Sequence, residues 1–147
     1  MQLTVKTSSK ELEELLTTLA LFLIQELKLK SSKKTLTIRT QRGLAKAEGM
    51  RGVVGPVPSN PNHLVMIIDS KLRDDDLVEI LCHEMVHVKQ FALGQAVIKY
   101  YAGKPQYYWM GRKVKKSYWD QPWEIDAWRK ERVLASRIYK ILDTKPR

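Results

Sequence analysis

Asp74-Asp75-Asp76-Leu77-Val78-Glu79-Ile80-Leu81-Cys82-His83-Glu84-Met85-Val86-His87-Val88-Lys89-Gln90-Phe91-Ala92-Leu93-Gly94 is the stretch on which the reading of this chain turns. Three aspartates lead it, where the positive end of a helix dipole favours negative charge, and Gly94 offers a stop. Leu77, Leu81, Met85 and Val88 recur at three- and four-residue intervals, so the spacing predicts a helix over 74–92. His83 and His87 then share one face, one turn apart, where their imidazoles can hold a single metal ion through a nitrogen each. Glu84 sits beside the first histidine, placed to act as general base towards a water that zinc would acidify. The pattern arises by chance in only about a few per thousand chains of this length. Two of the three histidines of the chain belong to it, so a site for one Zn2+ per chain is the expectation.

Upstream of this helix, Ser8 and Glu11 have capping-box spacing, and Leu12, Leu15, Leu16, Leu19, Leu23 and Leu27 follow at helical intervals. A helix over about 9–28 is predicted. Thr35-Leu36-Thr37-Ile38-Arg39-Thr40 alternates and is rich in β-branched residues, predicting a strand over 35–40. Glycines and prolines punctuate 43–61, so only a short or irregular edge strand, with 44–48 as its candidate, and a loop are expected there. The apolar run His63–Asp69 predicts a buried strand.

Downstream, Tyr107-Tyr108-Trp109-Met110 and Lys113-Val114-Lys115 flank Gly111-Arg112 as strands flank a hairpin turn. Pro122 suits a first helical position, and Ala127, Leu134, Ile138 and Ile141 form a stripe, predicting a helix over about 122–142. A hydrolytic zinc site takes three protein ligands and leaves the fourth position to water. Glu124, early in that last helix, is the candidate third ligand, because Ala127 shares its face and lets the helix approach the metal. Asp126 is the alternative. His63, the remaining histidine, lies at the mouth of a strand and reads as a strand-end residue. Cys82 is turned about 100 degrees from the histidine face and reads as a core thiol.

Leu81 to Gln90, followed by a tryptophan-rich stretch and Pro122-Trp123-Glu124-Ile125-Asp126-Ala127, resembles the small zincin-like metallopeptidases common in bacteriophages. It is also similar to the broader gluzincin group. The resemblance implies His83, His87 and Glu124 as zinc ligands, Glu84 as catalytic base, and Asp126 orienting a histidine by accepting its other N–H. It covers 77–92 and 118–131 closely and the rest only in plan. SprT-like DNA-associated proteases share that plan but usually use a third histidine, and this chain has none after His87. The expected fold is α+β, a minimal zincin-like domain spanning 1–147: an N-terminal helix, a small mixed sheet, the helix bearing both histidines and a C-terminal helix carrying the third ligand. The expected activity is hydrolysis of peptide bonds in a protein or peptide substrate. The alternative is a non-catalytic, metal-stabilised structural or nucleic-acid-binding protein, such as a virion component.

The 147 residues suffice for one hydrophobic core, and 44% hydrophobic with 29% charged residues is the composition of a water-soluble globular chain. The net charge of +10 suits nucleic acid, anionic surfaces or acidic proteins. Tyrosines and tryptophans from Tyr100 to Trp119, interleaved with Arg112, Lys113, Lys115 and Lys116, could stack bases and hold phosphates, or simply form the rim of a cleft. Tyr118 or another tyrosine of this stretch is a candidate donor to the oxyanion of peptide hydrolysis, and nothing in the sequence selects one. One cysteine and no signal-like leader lead to the expectation of the cytoplasm, that of a host or a virion if phage-encoded. The longest apolar run, Leu15–Ile24, is too short to cross a membrane.

Overall fold

The computed structural model describes residues 1–115 and 122–144. It is α+β, in the order β1 (Gln2–Lys6), α1 (Lys10–Glu26), β2 (Thr35–Gln41), α2 (Leu44–Glu48), β3 (Gly52–Val57), β4 (Asn60–Asp69), α3 (Asp74–Ala92), β5 (Ala96–Tyr101), β6 (Lys104–Trp109), β7 (Arg112–Val114) and α4 (Pro122–Thr144). The first sheet has the order β1-β2-β4-β3, with β1, β2 and β4 parallel and β3 antiparallel on the edge.

Alternation builds this sheet. Leu36 and Ile38 of β2 and Leu64, Met66 and Ile68 of β4 point to one face and are fully buried, while the intervening residues are more exposed. The same alternation in Gln2-Leu3-Thr4-Val5-Lys6 makes β1, a strand absent from the sequence-based expectation, whose register pairs Val5 with Ile38. Because β1 and β2 are parallel, α1 must return the chain, and it buries Leu16, Leu19, Ala20, Leu23 and Ile24 in the shared core. Its cap is Ser9, not Ser8: the Ser9 hydroxyl accepts from the Leu12 amide at 3.3 Å.

The expected strand at 44–48 is a helical turn. Leu-Ala-Lys-Ala-Glu is a run of good helix formers, and the Asp69 carboxylate accepts the otherwise unpaired Ala45 amide at 2.8 Å. The edge strand lies instead at β3, after the glycines and arginine that end this turn.

α3 is the central element. Its apolar residues pack on the sheet and α1 on one side, and on α4 through the other, so thirteen of its nineteen residues are buried. α4 closes against it with Ala127, Leu134, Ala135 and Ile138. The second sheet, β5-β6-β7, is antiparallel. Its two turns, Ala102-Gly103 and Met110-Gly111, hold both central residues at positive φ (50 and 76°, 51 and 82°), the two-residue hairpin geometry whose twist matches that of the strands. The second turn is therefore one residue earlier than Gly111-Arg112. Trp109 of β6 packs on the buried Trp123 at 5.4 Å between ring centroids and ties this sheet to the start of α4. Among the described residues, no helix is long and apolar enough to cross a membrane.

Candidate metal centre

His83 and His87 meet as one helical turn dictates. Their rings are 4.9 Å apart, edge to face, and their Nε2 atoms are 3.3 Å apart. The first turn of α4 brings Glu124 across both, with one carboxylate oxygen 2.8 Å from His83 Nε2 and the other 2.7 Å from His87 Nε2. Fully buried Ala127, one turn on, has only a methyl group between the helices.

The outer nitrogens are also partnered, by residues that sequence reasoning missed. His83 Nδ1 faces Glu131 Oε1 at 3.3 Å, and His87 Nδ1 faces Gln90 Oε1 at 2.8 Å. Asp126 does not reach a histidine itself. It accepts from Gln90 Nε2 at 2.9 Å, the Trp123 carbonyl accepts from the same nitrogen at 3.2 Å, and Lys130 pairs with the other Asp126 oxygen at 2.8 Å. Two acceptors on Gln90 Nε2 fix the amide so that its oxygen turns to His87. His87 Nδ1 is then the donor, and Nε2 is the nitrogen left for the centre; the Glu131 carboxylate imposes the same choice on His83. Both outer partners carried a periodic signal: Gln90 is three residues beyond His87, and Glu131 seven beyond Glu124.

The two central carboxylates differ sharply. Glu84 is 4% exposed, one of its oxygens has no hydrogen-bond partner among the described residues, and burial pushes its pKa up to about 7 against the pull of His87 and His83. Burial would raise Glu124 as well, but hydrogen bonds from both histidines, and their charge, hold it down to about 2. Burial alone would lower both histidines, but Glu124 together with Glu84, and with Glu131 at His83 and Gln90 at His87, raises them. Each imidazole thus has a carboxylate or amide oxygen on both sides, and the two Nε2 atoms stand 3.3 Å apart.

Two converging nitrogens with a carboxylate across both fit a cation. Two zinc–nitrogen bonds of about 2.0–2.1 Å at a tetrahedral angle place their nitrogens about 3.3 Å apart, the separation seen here. His83, Glu84 and His87 form a group whose ligand atoms lie within 4.8 Å of one another and could hold a metal ion, and Glu124 stands closer still to both imidazoles. His63 is engaged elsewhere, its Nε2 2.9 Å from Thr37 Oγ1 in the sheet. Cys82 is fully buried; burial, then the charges of Glu131 and Glu79, push its thiol up to about 12, and it is not in the group of converging ligand atoms.

Beside the centre lies a cleft of about 290 Å³, bounded by Glu84, His87 and Glu124 on the helices and by Gly52, Val53 and Val54 of the edge strand. A larger hollow of about 790 Å³ along α3 and α4 reaches Glu131 but neither histidine. The smaller cleft is the one that meets the chemistry. Gly52 is why β3 comes so near: a Cβ there would stand 2.9 Å from Ile80 Cγ1 and 3.2 Å from Glu84 Cγ. Tyr118 lies outside the described residues. Compared with known protein families, with curated proteins and with solved structures, the chain finds no match.

Proposed function

We propose that the α3–α4 centre makes this chain a metal-dependent hydrolase. More narrowly, we read it as a zinc peptidase of the zincin kind, as the resemblance of residues 81–90 and 122–127 implies. The observation that carries the reading is the pairing of Glu124, ionised and clamped on both Nε2 atoms, with Glu84, buried, raised to about 7 and short of one partner. The first suits a ligand and the second a proton carrier.

His83, His87 and Glu124 would hold the ion. Zinc, when bound, acidifies a water and polarises a carbonyl. Glu84 takes the proton of the attacking water on its unpartnered oxygen and delivers it to the amide nitrogen that leaves. Burial favours the protonated carboxyl between those two events. Among the described residues β3 pairs only with β4, so its outer edge can hydrogen-bond an extended peptide alongside the cleft. Glu131 and Gln90 keep the ring orientations, and so Nε2 of both histidines, on the ion.

Glu84→Gln keeps the shape and removes the base. Proteolysis of an unstructured protein substrate by the zinc-loaded variant should fall by about 10²–10⁴-fold, while metal analysis still finds one zinc per chain. Activity equal to the parent's would overturn the mechanism.

A further inference from the structure

The β5-β6-β7 sheet divides its aromatic and basic residues between two faces. Register sets Ile98 opposite Tyr107 and Ala96 opposite Trp109, and this face packs inward: Ala96 is buried, and Ile98 and Trp109 lie against the core. The other face carries Lys99, Tyr101, Lys104, Tyr108 and Lys113, with Lys113 paired to Tyr108 in the register. The three lysines and Tyr101 are exposed, Tyr101 at 53%, and Tyr108 is half-buried. The Lys99 ammonium lies 5.1 Å from the centre of the Tyr108 ring.

Among the described residues no carboxylate pairs with a lysine of this face. The sequence holds neither Asp nor Glu from Lys89 to Trp119, and among the described residues none of the three lysines is in an ion pair. Lys115, also exposed, follows immediately after β7. We propose that the outer face of the β5-β6-β7 sheet binds single-stranded nucleic acid, its lysines meeting phosphates while Tyr101 and Tyr108 stack on bases. An acidic peptide or an anionic membrane would use the cations and ignore the rings. A duplex keeps its bases stacked inside and would likewise meet only the lysines. Interleaved rings and cations on one flat face match a strand whose bases are free. An arriving phosphate draws the flexible Lys99 ammonium away and leaves the Tyr108 ring to a base.

The test is fluorescence anisotropy with a labelled oligothymidylate over a salt series, on the parent and on Glu84→Gln, so that it is independent of peptidase activity. Both should bind, with affinity falling steeply in salt. Lys99→Gln/Lys104→Gln/Lys113→Gln should flatten the log–log slope by about 2, three phosphates at about 0.7 each. Tyr101→Leu/Tyr108→Leu should weaken binding by about 30-fold or more with the slope kept, and the double Phe variant should restore it. Absence of binding at low salt, or a lysine variant that binds like the parent, overturns the proposal. So do Leu variants that bind like the parent, or polyglutamate or phosphatidylserine vesicles that compete as well as unlabelled oligothymidylate.

Discussion

Between α3 and α4, imidazoles, carboxylates and an amide are packed together out of water, while on the β5-β6-β7 sheet lysines and tyrosines stand open with no carboxylate near them in sequence. In the seam, burial makes each partner matter: Gln90 is turned by two acceptors, and that turn decides which nitrogen of His87 faces the centre. On the sheet, solvent satisfies every charge, so no single side chain is decisive and effects accumulate. One region should fail by single substitutions, and the other should fade by degrees.

The largest effect should come from Glu124→Ala. It removes the carboxylate shared by both Nε2 atoms, and zinc affinity should fall by at least about 100-fold, beyond the 10- to 100-fold typical of partners behind the ligands. Competition with a chromogenic chelator measures it. Lys99→Gln in the same assay should match the parent. Parent-like affinity in Glu124→Ala would move the third ligand to Glu84 or Asp126, and the contrast between seam and sheet would lose its sharpest member.

Next is the response of the metal-free protein to pH. Glu84 is raised to about 7 from an unfolded value near 4.5, so between these values the folded state binds more protons than the unfolded state. Its contribution therefore destabilises as pH rises through that window and levels off above it, by about 3 kcal/mol in all. Glu124 runs the other way: its folded value near 2 stabilises above the unfolded value and is lost as acid protonates it. Urea unfolding in EDTA should show Glu84→Gln losing less stability than the parent between pH 5 and 8, and parallel curves would mean that Glu84 is not buried as seen here.

Much of this was legible in the chain because α3 announces itself. Charge at its start, apolar periodicity and a glycine stop give the helix 74–92 that the structure contains, and with it the juxtaposition of His83 and His87. Glu124 was legible for a related reason, a small residue one turn along. Gln90 and Glu131 lie at helical spacings too, but spacing shows only which residues share a face and not which partner faces them, so their roles needed the two helices placed together. At 44–48 glycines were read as interrupting a strand, where they bracket a helical turn; local composition favoured helix there, and Asp69 from a distant strand supplies the missing acceptor. The mixture of tyrosines and lysines after residue 98 could not be sorted by sequence, because a one-residue change of register exchanges the faces.

Gly52 and Gly55 give the smallest and most discriminating test, two glycines three residues apart on β3. A Cβ at Gly52 meets Ile80 Cγ1 at 2.9 Å, close to the root of a buried side chain that cannot swing away, whereas one at Gly55 meets nothing within 4 Å. Gly52→Ala must therefore push β3 off α3 and should cost about 1–2 kcal/mol, while Gly55→Ala should be neutral or slightly stabilising through the unfolded chain. If β3 is the strand on which substrate lies, the same displacement moves the peptide away from Glu84. Gly52→Ala should then lower kcat/KM with zinc content unchanged, and Gly55→Ala should leave both alone. Oligothymidylate binding, read on the outer face of the β5-β6-β7 sheet, should be the same in all three proteins; a loss in Gly52→Ala alone would mean that the two regions are mechanically joined.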